Sequence, residues 1–186
     1  MREFFAWAKA QGAKGVNWAT AGSGSTPHFV AEMIKEATGI PLNIVPYRSG
    51  GDSVTAVLSN SVSATSEASI VVLPQVQARL LKPIATTYSK RISAYPSLAT
   101  TAEQGYPTVA IGHWAGLLAP LGTPQPIIDR MNGELQAALK TPEVVEKLSR
   151  SGIEPAGGSV ADFAAFIVSE RKRLGDIAVK AQMAEP

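Results

Sequence analysis

The chain has 186 residues, 45% of them hydrophobic and 17% charged, a composition that suits a globular protein with one good core. Seventeen Lys and Arg against fifteen Asp and Glu leave a formal charge of +2, and no basic cluster runs along any segment, which argues against nucleic-acid binding. Cysteine is absent, so disulfides, thiolate nucleophiles and Cys-based metal sites are excluded, and apolar runs of four or five residues, as at 70–73, are too short to cross a bilayer.

The N-terminus carries Glu3 and no sustained apolar run, so it does not read as a signal peptide; Phe4, Trp7 and Ala8 fall on one helical face instead. Residues 16–20 read as a strand that enters the loop 21–26. A helix follows, with Thr26 as N-cap, Pro27 at its first position, a buried stripe of Phe29, Val30, Met33, Ile34 and Ala37, and Gly39 as its stop. Residues 42–46 form a second strand, and Ser49-Gly50-Gly51-Asp52-Ser53 opens a helix through Leu58. Two strands flanking one helix make a βαβ unit, hence a parallel pair with a right-handed crossover.

Further along, the pattern predicts a third short strand at 62–65, a helix over 69–81, a strand over 83–88, a helical turn at 100–104 stopped by Gly105, and an extended segment over 109–119. From Leu121 onward the chain is mostly helix: 124–140 capped by Thr123, 142–151 capped by Thr141, and a last helix opening at Ser159, where Ser159 and Asp162 have capping-box spacing. Between the last two helices lies one isolated extended stretch, 152–155. A lone strand needs a sheet to pair with, and the stripe Ile127, Ile128, Met131, Leu135 and Leu139 needs a partner surface. These helices either cover the sheet of 16–119 or belong to a second lobe, and the residues alone leave both readings open.

The strongest chemical feature is the loop Thr20, Ala21, Gly22, Ser23, Gly24, Ser25 and Thr26, placed after a strand and before a helix. Main-chain N–H groups are unpaired at a helix N-terminus, the dipole favours negative charge there, and glycines allow close approach of a ligand, so the loop suits a carboxylate or phosphate. The plainer reading is that Ser25 or Thr26 caps the helix while Gly22 and Gly24 turn the chain; the two stand level. No Lys follows the glycines, and Pro27 occupies the final glycine position of G-x-G-x-x-G, so neither nucleotide motif is met. A serine hydrolase needs more than Ser23 or Ser25 with His28 or His113, because the flanks miss the nucleophile elbow. Tyr47 and Arg48 end the second strand and Glu67 follows the third, so all three fall at the edge where the loop lies, as does His28 within one turn of it. Each of them is equally at home as a solvated or helix-terminal side chain.

Several blocks, taken in order, resemble one family. Residues 16–28, Val-Asn-Trp-Ala-Thr-Ala-Gly-Ser-Gly-Ser-Thr-Pro-His, resemble a VNYASSGxGSxPH stretch of the tripartite tricarboxylate transporter solute receptors, the Bug family. Val45-Pro46-Tyr47-Arg48 is similar to VPYK, Thr101-Ala102-Glu103-Gln104-Gly105 to TVAEAG, Ala119-Pro120-Leu121-Gly122-Thr123-Pro124 to APAGTP, and Thr141-Pro142-Glu143-Val144 to DPEV. The resemblance implies an α/β, periplasmic-binding-protein-like (type II) fold. In it, 15–119 is one complete ligand-binding lobe (the family's lobe two), and 1–14 with 120–186 is a mostly helical remnant of lobe one. It implies a non-enzymatic receptor that captures a small carboxylate for membrane transporter subunits, with no cofactor or metal. The ligand would be held by residues 20–26 together with His28, Tyr47 and Glu67.

Departures are also visible. Ala21 replaces a common Ser, Ser63 stands where Asp is usual, and Glu67 lengthens a usual Asp. The family's signal peptide and the first half of its lobe one, with a Pro-Gly-Gly loop that grips the other end of the ligand, have no counterpart here. Affinity is therefore expected to be weakened or lost, and the helices of 120–186 to expose apolar surface that could drive homodimerisation. The resemblance implies a periplasmic location; a chain without a signal peptide would stay in the cytoplasm.

Overall fold

A computed structural model describes residues 1–183. Helix α1 (Arg2–Ala10) and a 3₁₀ turn at Gly12–Lys14 lead into strand β1 (Val16–Thr20). Then come α2 (Thr26–Thr38), β2 (Leu42–Pro46), α3 (Gly50–Leu58), β3 (Ala64–Thr65) and α4 (Ser69–Gln77). The strands form one parallel sheet in the order β2-β1-β3, with Val16 opposite Leu42, Thr20 opposite Pro46, and Trp18 and Ala19 opposite Ala64 and Thr65. An irregular stretch from 78 to 124 leads to α5 (Gln125–Ala138), α6 (Pro142–Arg150) and α7 (Val160–Lys180). The βαβ unit, the strand bounds at 16–20 and 42–46, and the bounds of α3 are those the residue pattern predicts.

The core lies between β1 and the helices that cover it. Val16 and Trp18 of the central strand pack with Val30, Met33 and Ile34 of α2, with Ile40, and with Val109 and Ile111. Helix α1 joins the same cluster through Phe5 and Ala8, and the Phe5 ring meets Tyr106 edge-on at 4.9 Å. Leu174 and Ile177, near the end of α7, pack on it from outside. On the other face of the sheet, Ala19, Ala56 and Val62 form a smaller cluster under α3.

The glycine stop of α2 and the capping box of α7 are those the sequence predicts, but two caps are not. Gly39 ends α2 at φ 66, and Ser159 and Asp162 make the full reciprocal capping box of α7. The N-cap of α2 is Ser25 rather than Thr26. At α5 the N-cap is Pro124 rather than Thr123, whose hydroxyl donates to Pro120 O; Thr141 is the N-cap of α6, as expected, but by position alone, its hydroxyl donating to Ala137 O. Short polar side chains bond their nearest main-chain acceptor, and in both cases that acceptor lies behind them.

The predicted helix over 69–81 stops at Gln77: Pro74 interrupts its bonding, and Arg79 turns left-handed at φ 60. The predicted strand over 83–88 reduces to one isolated bridge, Thr86 with Thr100. There the Tyr88 amide is taken by Thr86 Oγ1, which removes a ladder donor. The expected extended stretch 152–155 begins in a turn, Gly152 at φ 71, and pairs with no strand among the described residues.

The turn into β1 depends on one residue. Gly15 has φ 67 and ψ −172, a region open essentially to glycine alone. A Cβ there would lie 2.8 Å from Pro41 O, the acceptor of the Val16 amide that starts the sheet. Gly39 has a similar φ but open space around it. Gly15→Ala is therefore expected to destabilise by roughly 2–4 kcal/mol and Gly39→Ala by about 1 kcal/mol. Urea unfolding of the two variants checks the ordering, and equal losses would contradict it.

Candidate functional site

Because all three strands run parallel, Thr20, Pro46 and Thr65 end at one edge, and α2, α3 and α4 all start from it. Helix N-termini carry unpaired amides and the positive end of the dipole. The first two helices deal with this differently. At α3, Ser49 Oγ accepts the Asp52 amide at 3.2 Å, and Asp52 supplies a carboxylate within the first turn. The first turn of α2 holds no acidic residue, and its second position is Pro27, which has no N–H.

The loop before α2 turns its hydroxyls inward. Ser25 Oγ donates to Gly22 O at 2.6 Å, and Thr20 Oγ1, fully buried, reaches the same carbonyl at 3.4 Å. Gly22 at φ 105 and Gly24 at φ 71 curl the chain around that carbonyl. The amides of Ala21, Gly22, Ser23 and Thr26 find no acceptor among the described residues. Four main-chain donors thus stand uncommitted at the N-terminus of a thirteen-residue helix, with the Ser23 side chain exposed beside them.

His28 is part of the loop's framework. Its Nδ1 accepts the Gly24 amide at 3.1 Å, which requires the tautomer with hydrogen on Nε2; that nitrogen lies 3.9 Å from Glu32 Oε1. Burial depresses the imidazole's pKa below its ordinary value; Glu32 partly offsets this, and Lys35 adds to it. Ser25 and His28 are therefore both spent on the backbone and form no nucleophile–base pair. No cluster of three metal-ligating residues occurs among the described residues.

Glu67 reaches the same edge from β3 but faces inward with one oxygen. Its Oε1 accepts from Ser53 Oγ at 2.7 Å, and Thr65 Oγ1 lies 3.5 Å away while donating to Ala19 O at 3.0 Å. The other oxygen lies over Gly50, where an added Cβ would come within 2.8 Å. Burial pushes the Glu67 carboxyl up, against the hydrogen bonds from Ser53 and Thr65. Protonated Glu67 keeps the network whole, since Ser53 can then accept from the carboxyl and donate to Gly50 O at 2.9 Å.

Tyr47 is brought to the edge by its backbone only. Its amide donates to Thr20 O at 2.8 Å and its carbonyl borders Gly22, while its ring packs on the Ala19, Ala56 and Val62 cluster beneath α3. Arg48 is exposed. His113 lies beyond the core strands, in the 112–119 segment, where burial lowers its pKa. Ser53 and Ser66 escaped the sequence reading. Ser53 is fully buried although it is polar, and Ser66 Oγ donates to Pro27 O at 3.4 Å, tying the third loop to the start of α2. The signal for Ser53 was a hydroxyl on the inward face of a helix that otherwise buries Val54 and Ala56.

This architecture is that of a periplasmic-binding-protein-like α/β protein, a class that takes ligands at the C-terminal edge of its strands. A model of the tripartite tricarboxylate transporter family receptor matches residues 1–183, and the chain belongs to that family of solute-binding receptors. BugT of Bordetella pertussis is 31% identical over 154 residues, which cover 83% of this chain and 47% of BugT. A protein of R. palustris solved with adipate superposes with a TM-score of 0.90 at 28% identity, over 99% of this chain and 61% of that one. The periplasmic binding protein BugD superposes at 0.86 and 26% identity, over 100% of this chain and 62% of its own. The chain thus spans about half of BugT and about three-fifths of each solved relative.

The His28 contact has a definite pH signature. A histidine whose folded pKa is depressed keeps its full contribution above the ordinary value of 6.5 and loses it as pH falls through the folded value. The Gly24 amide resonance is expected to titrate with a midpoint below 6.5, stability falling with it, and His28→Ala to abolish the inflection. A Gly24 midpoint at or above 6.5 would contradict the bonding described.

Proposed function

We propose that this chain supplies the carboxylate-holding side of a solute receptor, with Thr20, Ala21, Gly22, Ser23, Gly24, Ser25 and Thr26 as an anion cradle. The observation that carries the reading is the set of uncommitted amides at the start of α2, a helix whose first turn has no acid of its own. Family membership supports it, as does a relative solved with adipate. A ligand carboxylate would accept from the amides of 21–23 and from the exposed Ser23 hydroxyl, with Ser25, Thr20 and His28 holding the loop open behind it. Tyr47 would contribute through its backbone, and Glu67 through the shape and polarity of the adjoining edge.

The ligand class we propose is a small mono- or dicarboxylate, delivered to membrane transporter subunits in the periplasm. In this reading 15–119 is the ligand-holding lobe, with α1 docked on its core, and 120–186 belongs to a second lobe. Binding by one lobe alone is weak, because closure of two lobes gives such receptors their affinity and one side cannot desolvate a ligand fully. The chemistry is capture rather than catalysis: Ser25 and His28 of the loop are committed to main-chain partners.

The test is a thermal-shift and calorimetric series with dicarboxylates, adipate first, at millimolar concentration, on the native chain and on Gly22→Val. Gly22 sits at φ 105, so a branched side chain there deforms the loop. The native chain is expected to be stabilised by adipate or a close analogue and not by the uncharged diamide. Gly22→Val is expected to bind about tenfold to a hundredfold more weakly, the loss of one charge-assisted hydrogen bond. A flat response to every acid, or an unchanged response in Gly22→Val, would remove the proposal.

A further inference from the structure

We infer that capture at the start of α2 is proton-linked: a carboxylate seated on the amides of 21–23 and a proton seated on Glu67 stabilise one another, so the site takes up its anion together with a proton. The inference rests on the solute reading above and adds a regulation of that same site.

The hydroxyls around Glu67 are one hydrogen short when it is ionised. Ser53 Oγ has a single hydrogen and two acceptors within reach, Gly50 O at 2.9 Å and Glu67 Oε1 at 2.7 Å. Ser53 is fully buried, so bulk water stands in for neither. Thr65 Oγ1 lies closer to Ala19 O, at 3.0 Å, than to Glu67 Oε1, at 3.5 Å, and gives its hydrogen to the carbonyl. An ionised Glu67 therefore takes the Ser53 hydrogen from Gly50 O. A protonated Glu67 donates to Ser53 Oγ, which then donates to Gly50 O while Thr65 keeps Ala19 O, and all three bonds are made.

No charge of the protein's own settles the matter. The carboxyl is folded over Gly50 with Val71 of α4 beside the same position, and its raised pKa comes from burial, with no charged side chain among the causes. Asp52 at the start of α3 accepts from Ser49 Oγ at 3.0 Å, and Arg48 before it is exposed. The Tyr47 ring packs beneath α3, and α4 has no titratable residue. Glu154, two residues past the Gly152 that meets Ser69 of α4, is held by the Ser93 amide and Lys90. In α2, His28 accepts from Gly24 and Glu32 pairs with Lys35.

The stretch carrying Glu67 is tied to both ends of the cradle. Ala19 pairs with Thr65 in the sheet, and Ser66 Oγ donates to Pro27 O at 3.4 Å. Neighbouring strands lie about 5 Å apart, which puts an anion at 21–23 roughly 10 Å from the Glu67 carboxyl. At that range, on a partly buried edge that salt screens poorly, two negative charges weaken each other on the order of tenfold. Linkage is reciprocal: the anion raises the pKa of Glu67 by as much as the proton tightens the anion. His28 acts in the opposite sense, because its protonation removes the acceptor of the Gly24 amide and with it the shape of the loop.

Calorimetric titration with adipate, from about pH 5 to about pH 8 in buffers of unlike ionisation enthalpy, counts the protons taken up on binding. The comparison is the native chain against Glu67→Gln, which is isosteric with the protonated carboxyl. The titration of adipate itself is common to both, so their difference isolates Glu67. The native chain is expected to take up more protons than the variant, by up to one per adipate. Its affinity is expected to fall on the order of tenfold as pH rises through the Glu67 titration, a fall that Glu67→Gln lacks. A second readout needs no variant: the carbon-13 resonance of the Glu67 carboxyl is expected to titrate up to about one pH unit higher with adipate than without. Equal proton uptake by the two proteins, or a Glu67 midpoint that bound adipate does not move, would overturn the inference and leave the solute reading standing. Absence of adipate binding at every pH would remove both.

Discussion

Most of the molecule's behaviour descends from the parallel pairing of β1 with strands on both sides. Once Val16 pairs with Leu42 and Trp18 with Ala64 in the same sense, three strand ends and the starts of the three helices that follow are gathered at one edge. The positive ends of neighbouring helix dipoles then crowd together, and each is stabilised by nearby negative charge or acceptors. At α3 that need is met internally, by Ser49 and Asp52 at the cap and by the Glu67 carboxyl over Gly50. At α2 nothing acidic answers it. The topology thus leaves at this edge a helix start where thirteen residues of aligned dipole and four amides without acceptors among the described residues have no acid in the first turn.

The two titratable side chains nearest that place are both shifted toward their neutral forms. His28 is held neutral by burial and by donation from Gly24, and burial favours the protonated state of Glu67. The signs of the linkage oppose each other. Lowering the pH costs native stability at His28, while raising it through Glu67's elevated pKa costs stability there, because the buried carboxylate then loses more solvation than Ser53 and Thr65 restore. Burial thus shifts both groups toward their neutral forms, while the Asp52 carboxylate stays with the first turn of α3. Gly50 is part of this economy of space, since any side chain there would displace Glu67.

How much of this was legible in the sequence depended on range. Local chemistry read correctly wherever a residue acts on its immediate neighbours. Gly39 stopped α2, the spacing of Ser159 and Asp162 made its capping box, and the alternation of 16–20 with 42–46 around one helix forced a parallel pair. The errors arose where several acceptors compete for one hydroxyl. Thr123 has the residue type of a cap, yet its hydroxyl has the Pro120 carbonyl behind it within reach; Thr141 does hold the N-cap position of α6, but its hydroxyl likewise turns backward. Ser53 could not be recognised because its partners, Glu67 and Thr65, are brought beneath α3 only by the pairing of β3 with β1. The strand expected at 83–88 failed for a related reason: a strand exists only with a neighbour, and beyond the Thr86–Thr100 bridge and the bonds of Thr87 to Ile111 no ladder forms there.

That dependence on neighbours also explains why the C-terminal third looks unfinished while the sheet does not. Helices satisfy their own backbone and so form regardless of what surrounds them; extended segments cannot. Hence α5, α6 and α7 are regular while 112–119 and 154–157 are irregular, their main chain without partners among the described residues. Helix α7 belongs to both regions. Its first half holds Phe163 and Phe166 against Trp114, and its second half places Leu174 and Ile177 on the core, donates from Arg173 to Ala110 O, and ties Lys180 to Glu36 of α2. Helix α2 in turn carries the amides of the cradle at its other end. Trp114 and the helix on which the anion site is built are thus joined through α7 by continuous packing rather than by proximity in sequence.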